Sequence, residues 1–320
     1  MEYEPKNAKP GFDAPAFREM LKDGFGGHMP YAGLLTMFRR PYTQDLEAAD
    51  LAFVGLPWDG TPLSRSGQRY GPRAMRETSA YVVQEQDYTI FQRLRCVDYG
   101  DVFFHAGNMF DFIDQTEKVI GEILAGGAMT FCLGGDHLIP LPILRAYAKH
   151  RGEPVAVLHF DAHRDSWDIM PYSYGGSWLE ELVKEGCIDA AHSVSMGMRE
   201  DAWPANDDVT VIGAEDCLEK GPKAIAEQVR AVIGDTPVYV TFDIDFLDAS
   251  VAQACHTASF CGPDMWWTRR FLRDLSGLKV IGADANELCP HYEAPCGPSG
   301  LALTTVSMWV LELIEKGRGV

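Results

Sequence analysis

Residues 237–245 read "PVYVTFDID". The run from Val238 to Phe242 shows no polar–apolar alternation, and Asp243 and Asp245 close it. A strand with one wet face alternates, whereas a continuous run suits a strand covered on both faces, as in a parallel sheet under helices. In an open α/β sheet the ligand crevice lies beyond the carboxyl ends of the strands. The stretch therefore predicts both a fold class and the edge of the sheet where the chemistry sits.

Working outward, the same pattern recurs in "LAFVGLP" (51–57), "AMTFCLGG" (128–135), "VAVLHFD" (155–161), "SVSMG" (193–197), "VTVIG" (209–213) and "KVIGADA" (279–285). Amphipathic segments at 111–125, 140–150, 221–233 and 299–316 separate several of these runs. The alternation predicts a single-domain three-layer α/β/α fold around a mainly parallel sheet. No linker, internal repeat or low-complexity tract follows residue 45. Residues 46–320 are read as one catalytic domain. Residues 1–45, with their Pro, Gly and aromatics, are read as an N-terminal extension that wraps the domain or meets another subunit.

Composition narrows the functional classes. The formal net charge is −18, which disfavours binding to a nucleic-acid backbone. An acidic cleft would instead attract small cations. The eight cysteines form no CxxC pair and read as reduced thiols, not as a disulfide framework. The polar start lacks a signal-peptide pattern, and no apolar run approaches the roughly 20 residues of a membrane helix. A soluble, cytoplasmic protein with no membrane partner is expected.

Four strand ends carry polar clusters: Asp136 and His137 in "CLGGDH", Asp161, His163 and Asp165 in "LHFDAHRD", Asp243 and Asp245 in "TFDID", and Asp284 and Glu287 in "IGADANE". In an extended segment residues i, i+2 and i+4 point to one side. Asp161, His163 and Asp165 would share one side, and Asp243 and Asp245 another. So many crowded carboxylates need a cation. Mixed carboxylate and imidazole donors suit Mn, Ni, Co or Zn. The donors are too many for one tetrahedral ion and fit a pair that activates one water.

"GGDH", "FDAHRD" and "TFDIDFLD" resemble the three signatures of the ureohydrolase family, which includes arginase, agmatinase and guanidinobutyrase. "GLPWDGTPLSRSGQRYGPRAMR" (55–76) is similar to the agmatinase-type N-terminal strand and loop. "IGADANELCPHYE" (281–293) is similar to the strand carrying the family's guanidinium-binding glutamate. The likeness covers about residues 45–315. It implies an arginase-like fold and two divalent ions, Ni or Mn, per subunit. His137, Asp161, Asp165 and Asp243 would hold one ion, and Asp161, His163, Asp243 and Asp245 the other. A metal-bridging hydroxide oriented by Asp165 would attack a guanidinium carbon paired with Glu287. Trimers or hexamers, with a related subunit possible, are also implied.

The pattern breaks in the pocket. The family's loop after the third signature usually reads "DPAxAPGTGTP", whereas this chain reads "DASVAQACHTASFCG" (248–262). Cys255 and His256 depart and Thr257 matches. Tyr174, in "SYGGSW", stands at or near the place of the family's usual His-Gly pair. Tyr174, Cys255, His256 and Thr257 are therefore read as substrate-binding. Trp58, Trp167, Trp178, Trp266 and Trp267 are candidates for an aromatic wall around a methylated cation. The expected substrate is an N-alkylated guanidine or a biguanide such as metformin, cleaved by a catalytic subunit of the metformin-hydrolase type. The alternatives are an ordinary agmatinase or guanidinobutyrase releasing urea, and a non-catalytic subunit of a hetero-oligomer.

Overall fold

The computed structural model describes residues 31–82, 90–167, 173–200, 208–295 and 297–318. Eight strands form one sheet: β1 (Leu51–Leu56), β2 (Cys96–Asp101), β3 (Met129–Gly134), β4 (Ala156–Phe160), β5 (Val194–Met198), β6 (Thr210–Gly213), β7 (Val238–Asp243) and β8 (Val280–Asn286). Their spatial order is β2-β1-β3-β8-β7-β4-β5-β6. Every pairing is parallel. The expected α/β/α architecture is present, with a sheet that is parallel throughout.

The helices are α1 (Gly71–Ser79), α2 (Ile90–Arg93), α3 (Met109–Ala125), α4 (Pro140–Arg151), α5 (Trp178–Lys184), α6 (Ala214–Ile233), α7 (Met265–Asp274) and α8 (Pro298–Gly317). Local chemistry sets several ends. The Asn108 side chain caps α3 by accepting from Asp111 N, and Asp264 caps α7 by accepting from Trp267 N. Gly152 closes α4 at φ 71°, a left-handed conformation that favours glycine.

Two cores lie on opposite faces of the sheet. Leu51 and Phe53 of β1 join a core with α1, α6, α7 and α8. Ala52, Val54 and Leu56 join another with α3, α4 and α5. Side chains alternate between faces, and both faces are dry, so β1 and β7 read as unbroken apolar runs.

The sequence reading missed β2, an edge strand whose "CVDYGD" mixes apolar and acidic residues. Tertiary pairing supports it. Arg76 grips Asp98 through Nε and Nη2 at 2.8 and 2.9 Å, and Met37 N donates to the same carboxylate. Met37 and Phe38 are buried, and Phe38 lies 5.9 Å from Phe53 between ring centroids. This part of the 1–45 segment thus packs into the core, while residues 1–30 lie outside the described residues.

Candidate metal centre

β3, β8, β7 and β4 are consecutive neighbours in the sheet. Being parallel, they present their carboxyl ends together, and the four polar clusters gather there, with Asp243 closing β7 and Asp284 among the last residues of β8.

The glycine pair of "GGDH" has a steric reason. A Cβ on Gly134 would stand 2.4 Å from Asn286 Cβ, and one on Gly135 2.1 Å from Trp58 O. Both are well inside contact distance, and the Gly135 clash is with backbone. The bare turn lets Gly135 N bond Leu56 O and Asp136 N bond Trp58 O. Gly135→Ala is expected to destabilise the fold by about 2 kcal/mol or more. Urea denaturation would show it as a lowered midpoint, and an unchanged midpoint would contradict the steric reading.

Asp136 does not join the ligand cluster. Its carboxylate accepts from Thr61 N, Thr61 Oγ1 and Leu138 N and tethers the 61–67 loop. Burial pushes this acid up to about 7.

His137 turns inward. Its Nδ1 lies 2.8 Å from Asp161 Oδ2, 2.8 Å from Asp165 Oδ2 and 3.2 Å from Asp243 Oδ2. Its Nε2 lies 3.1 Å from Thr241 Oγ1, whose hydroxyl donates to Asp284 Oδ1 at 2.8 Å. The Thr241 proton is thus committed to Asp284, so Nε2–H of His137 must be the donor to Thr241. That leaves Nδ1, a buried atom without a hydrogen-bond partner, facing three carboxylate oxygens. A nitrogen so placed among anionic oxygens calls for a cation, a proton or a metal, and the donor set fits a divalent metal.

A second group shares Asp161. His163 Nδ1 lies 3.1 Å from Asp161 Oδ1 and 3.1 Å from Asp245 Oδ2. Asp161 therefore faces one histidine with Oδ2 and the other with Oδ1. All six expected ligand residues are drawn together, but not by strand alternation. β4 ends at Phe160, Asp165 sits at φ 48°, and Asp245 lies in a 3-10 turn over Ile244–Phe246. Loop geometry makes the convergence.

Burial raises Asp243 well above its ordinary value, with Asp245 and Asp161 adding to the effect. Asp161 goes the other way: burial is outweighed by His137, His159 and His163, which hold it well below. His159 was not foreseen. It is buried, with Nε2 3.0 Å from Asp161 Oδ2 and Nδ1 3.0 Å from Ser195 Oγ. It stands within the same His/Asp cluster. Its signal was its place two residues before Asp161.

Without metal His137 and His163 hold protons. Burial disfavours the charged His163 ring, but Asp245 and Asp161 outweigh it and push it up to about 12. Burial also opposes charge on His137, yet Asp165, Asp161 and Asp243 hold it well above its usual value. A metal must displace these protons. Ion uptake at pH 7–8 is therefore expected to release about two to three protons per chain, from His137, His163 and Asp243, and to weaken as pH falls. Titration calorimetry in buffers of different ionisation enthalpy measures this, and zero protons released would contradict it.

Beside the cluster lies a cavity of about 170 Å³. Tyr174, His256, Thr257 and Glu287, read from the sequence as substrate-binding, line it. Cys255 does not: it is fully buried in the core, with Sγ 3.5 Å from Ala252 O. The aromatic wall also needs correction, because only Trp167 of the five tryptophans lines the cavity. Trp58 stacks on Phe112 and Trp267 on Phe271 within the cores, and Trp266 is exposed. Trp178 is buried and its Nε1–H donates to Asp165 Oδ2 at 2.9 Å. It fixes the carboxylate of Asp165 and does not meet solvent.

Glu287 follows β8 at φ 64°, a left-handed conformation rare for a side-chain-bearing residue. Its Oε1 accepts from His137 N and its Oε2 from Gln68 Nε2, at 2.8 and 2.9 Å. Burial, with Asp136 adding to it, pushes this acid up to about 8.

The sequence pattern of the Arginase family matches residues 49–309. The chain belongs to the arginase family. It is thus a ureohydrolase, acting on C–N bonds, with a candidate dinuclear centre. Among its relatives is an agmatinase of Chromobacterium violaceum, 40% identical over 272 residues, covering 82% of this chain and 83% of that protein. A guanidinopropionase of Pseudomonas aeruginosa is 31% identical over 300 residues, covering 89% and 93%. A solved structure of a hypothetical agmatinase from Burkholderia thailandensis aligns with TM-score 0.85 at 33% identity, covering 91% and 93%. No helix among the described residues of this arginase-family chain is long and apolar enough to cross a membrane. The seven described cysteines are all free.

Proposed function

We propose that this chain hydrolyses a small guanidine at its guanidinium carbon, releasing urea and an amine. The observation that carries the proposal is the partnerless His137 Nδ1 facing three carboxylate oxygens beside an acid-lined cavity. His137, Asp161, Asp165 and Asp243 would hold one divalent ion, and Asp161, His163, Asp243 and Asp245 the other, as Mn or Ni. When bound, the ions supply Lewis acidity and a water acidic enough to react near neutral pH.

The chain's own residues do the rest. Glu287 pairs with the guanidinium by charge-assisted hydrogen bonds, its carboxylate held in place by Gln68 and His137 N. Asp165 lines the cavity with Oδ2 fixed by Trp178. That leaves Oδ1 to accept a proton from water and return it to the departing amine. One water is consumed, one C–N bond breaks, and the amine leaves neutral or protonated.

The agmatinase and guanidinopropionase relatives favour a urea-releasing reaction. The second reading, an N-alkylated guanidine or biguanide, draws on Trp167 and Tyr174, which line the cavity with ring centroids 6.4 Å apart. Product identification by mass spectrometry separates the two. The chain, loaded with Mn or with Ni, would receive agmatine, guanidinobutyrate, guanidinopropionate, dimethylguanidine and metformin. Urea with the matching amine is expected. Dimethylamine or guanylurea would favour the second reading, and no consumption would contradict both.

Trimeric or hexameric assembly, with itself or a related subunit, belongs to the same proposal. Exposed Phe103, Phe110, Phe260 and Trp266 support it, and light scattering tests it.

A further inference from the structure

His256 has a fixed proton. Its Nε2 lies 3.2 Å from the backbone N of Ser64, which donates to it. A backbone amide can only donate, so Nε2 carries the lone pair and the ring proton sits on Nδ1. The loop that bears His256 is pinned. Cys255 pairs with Leu288 in an antiparallel bridge, and Cys289 N donates to Ala254 O at 2.8 Å. Thr257 Oγ1 donates to Asp245 Oδ2 at 3.3 Å. The imidazole is therefore held on the cavity wall, 17% exposed, with Nδ1 4.0 Å from Glu287 Oε2. That gap is too long for a hydrogen bond, so Nδ1–H has no protein acceptor at Glu287.

The charges of the cavity point the same way. Among the described lining residues the carboxylates are Asp165, Asp243 and Glu287. The first two belong to the metal set and the third to the guanidinium. None is left for a second cation. Arg65, the residue after Ser64, is exposed and lies over the Tyr292 ring at 5.4 Å. It adds a positive charge to the loop that holds His256. Among the described lining residues an ammonium tail would meet a fixed N–H donor and no free counter-charge, whereas a carboxylate tail would meet a donor.

Resting on the proposed reaction, we infer that His256 reads the far end of the guanidine substrate. Its Nδ1–H donates to an acceptor on the substituent, a carboxylate above all, and selects against a second cation. The residue is a specificity determinant and takes no part in breaking the C–N bond.

The test uses the metal-loaded chain with 3-guanidinopropionate and agmatine. KM and kcat are measured for each, and binding of each is measured by titration calorimetry. The wild type is expected to bind the carboxylate compound about tenfold more tightly than the diamine-type compound. His256→Ala should raise KM for 3-guanidinopropionate about tenfold, leave kcat within about threefold, and leave agmatine unweakened. His256→Asn, which can place an N–H near the Nδ1 position, should restore the preference. Tighter binding of agmatine by the wild type overturns the inference. So does an equal loss for both compounds in His256→Ala, the result expected of a residue that only holds the loop. If neither compound yields urea, the proposed reaction fails, and the calorimetric preference still decides the role of His256.

Discussion

Asp243→Asn is expected to lose metal and to cost on the order of 10³-fold or more in activity. Asp243 is the last residue of β7, 3% exposed, with Oδ2 3.2 Å from His137 Nδ1 and Oδ1 accepting from Asp245 N. The amide keeps the shape but replaces an anionic oxygen beside His137 with a neutral group. One side of the site loses charge, and the remaining carboxylates hold divalent ions more weakly. The fold should survive, because burial and the neighbouring Asp245 and Asp161 disfavour this charge in the metal-free chain. Metal content and urea release measure the effect. Full metal retention with near-normal turnover would remove Asp243 from the proposed centre.

Glu287→Gln is expected to reduce kcat/KM by about 10- to 100-fold while metal binding stays intact. The loss is that of a charge-assisted hydrogen bond to the guanidinium, about 1.5–3 kcal/mol. Folding should be preserved for a specific reason. Gln68 Nε2 donates to Glu287 Oε2, and Gln68 Oε1 is buried without a partner. Turning the Gln68 amide over presents that oxygen to the amide N–H that the substitution introduces and gives up only the Gln68 Nε2 bond to Arg65 O at 3.2 Å, and His137 N keeps its acceptor. Steady-state kinetics with metal analysis tests this. A variant within twofold of wild type would mean that another group pairs with the guanidinium.

Much of the architecture was legible because its signals are local. Unbroken runs such as "VYVTF" mark strands dry on both faces, and acids directly after them mark the functional edge. β2 was not legible: its burial alternates, and it depends on Arg76 reaching across to Asp98. α5 and α7 were also passed over, α5 because it is short and α7 because "MWWTRRFLRD" gives only a brief amphipathic stripe.

In the site, residue identity could be read but orientation could not. Asp161, His163 and Asp165 converge through a loop with Asp165 in a left-handed conformation, where strand alternation does not apply. Trp178 and Cys255 carried chemistry-bearing side chains in suggestive positions, yet one serves Asp165 and the other fills the core. Thr241 and Asp284, which fix the proton of His137, gave no signal of that role. It arises from β7 and β8 lying side by side, with Thr241 opposite Asp284 in the register.

The proposed chemistry needs four aspartates and two histidines to form one dinuclear centre. The most direct measurement is the metal-to-chain ratio. The purified chain would be equilibrated with Mn(II) or Ni(II), desalted and analysed by plasma mass spectrometry. Two ions per wild-type chain are expected. A ratio of one or zero with either metal would contradict the dinuclear centre.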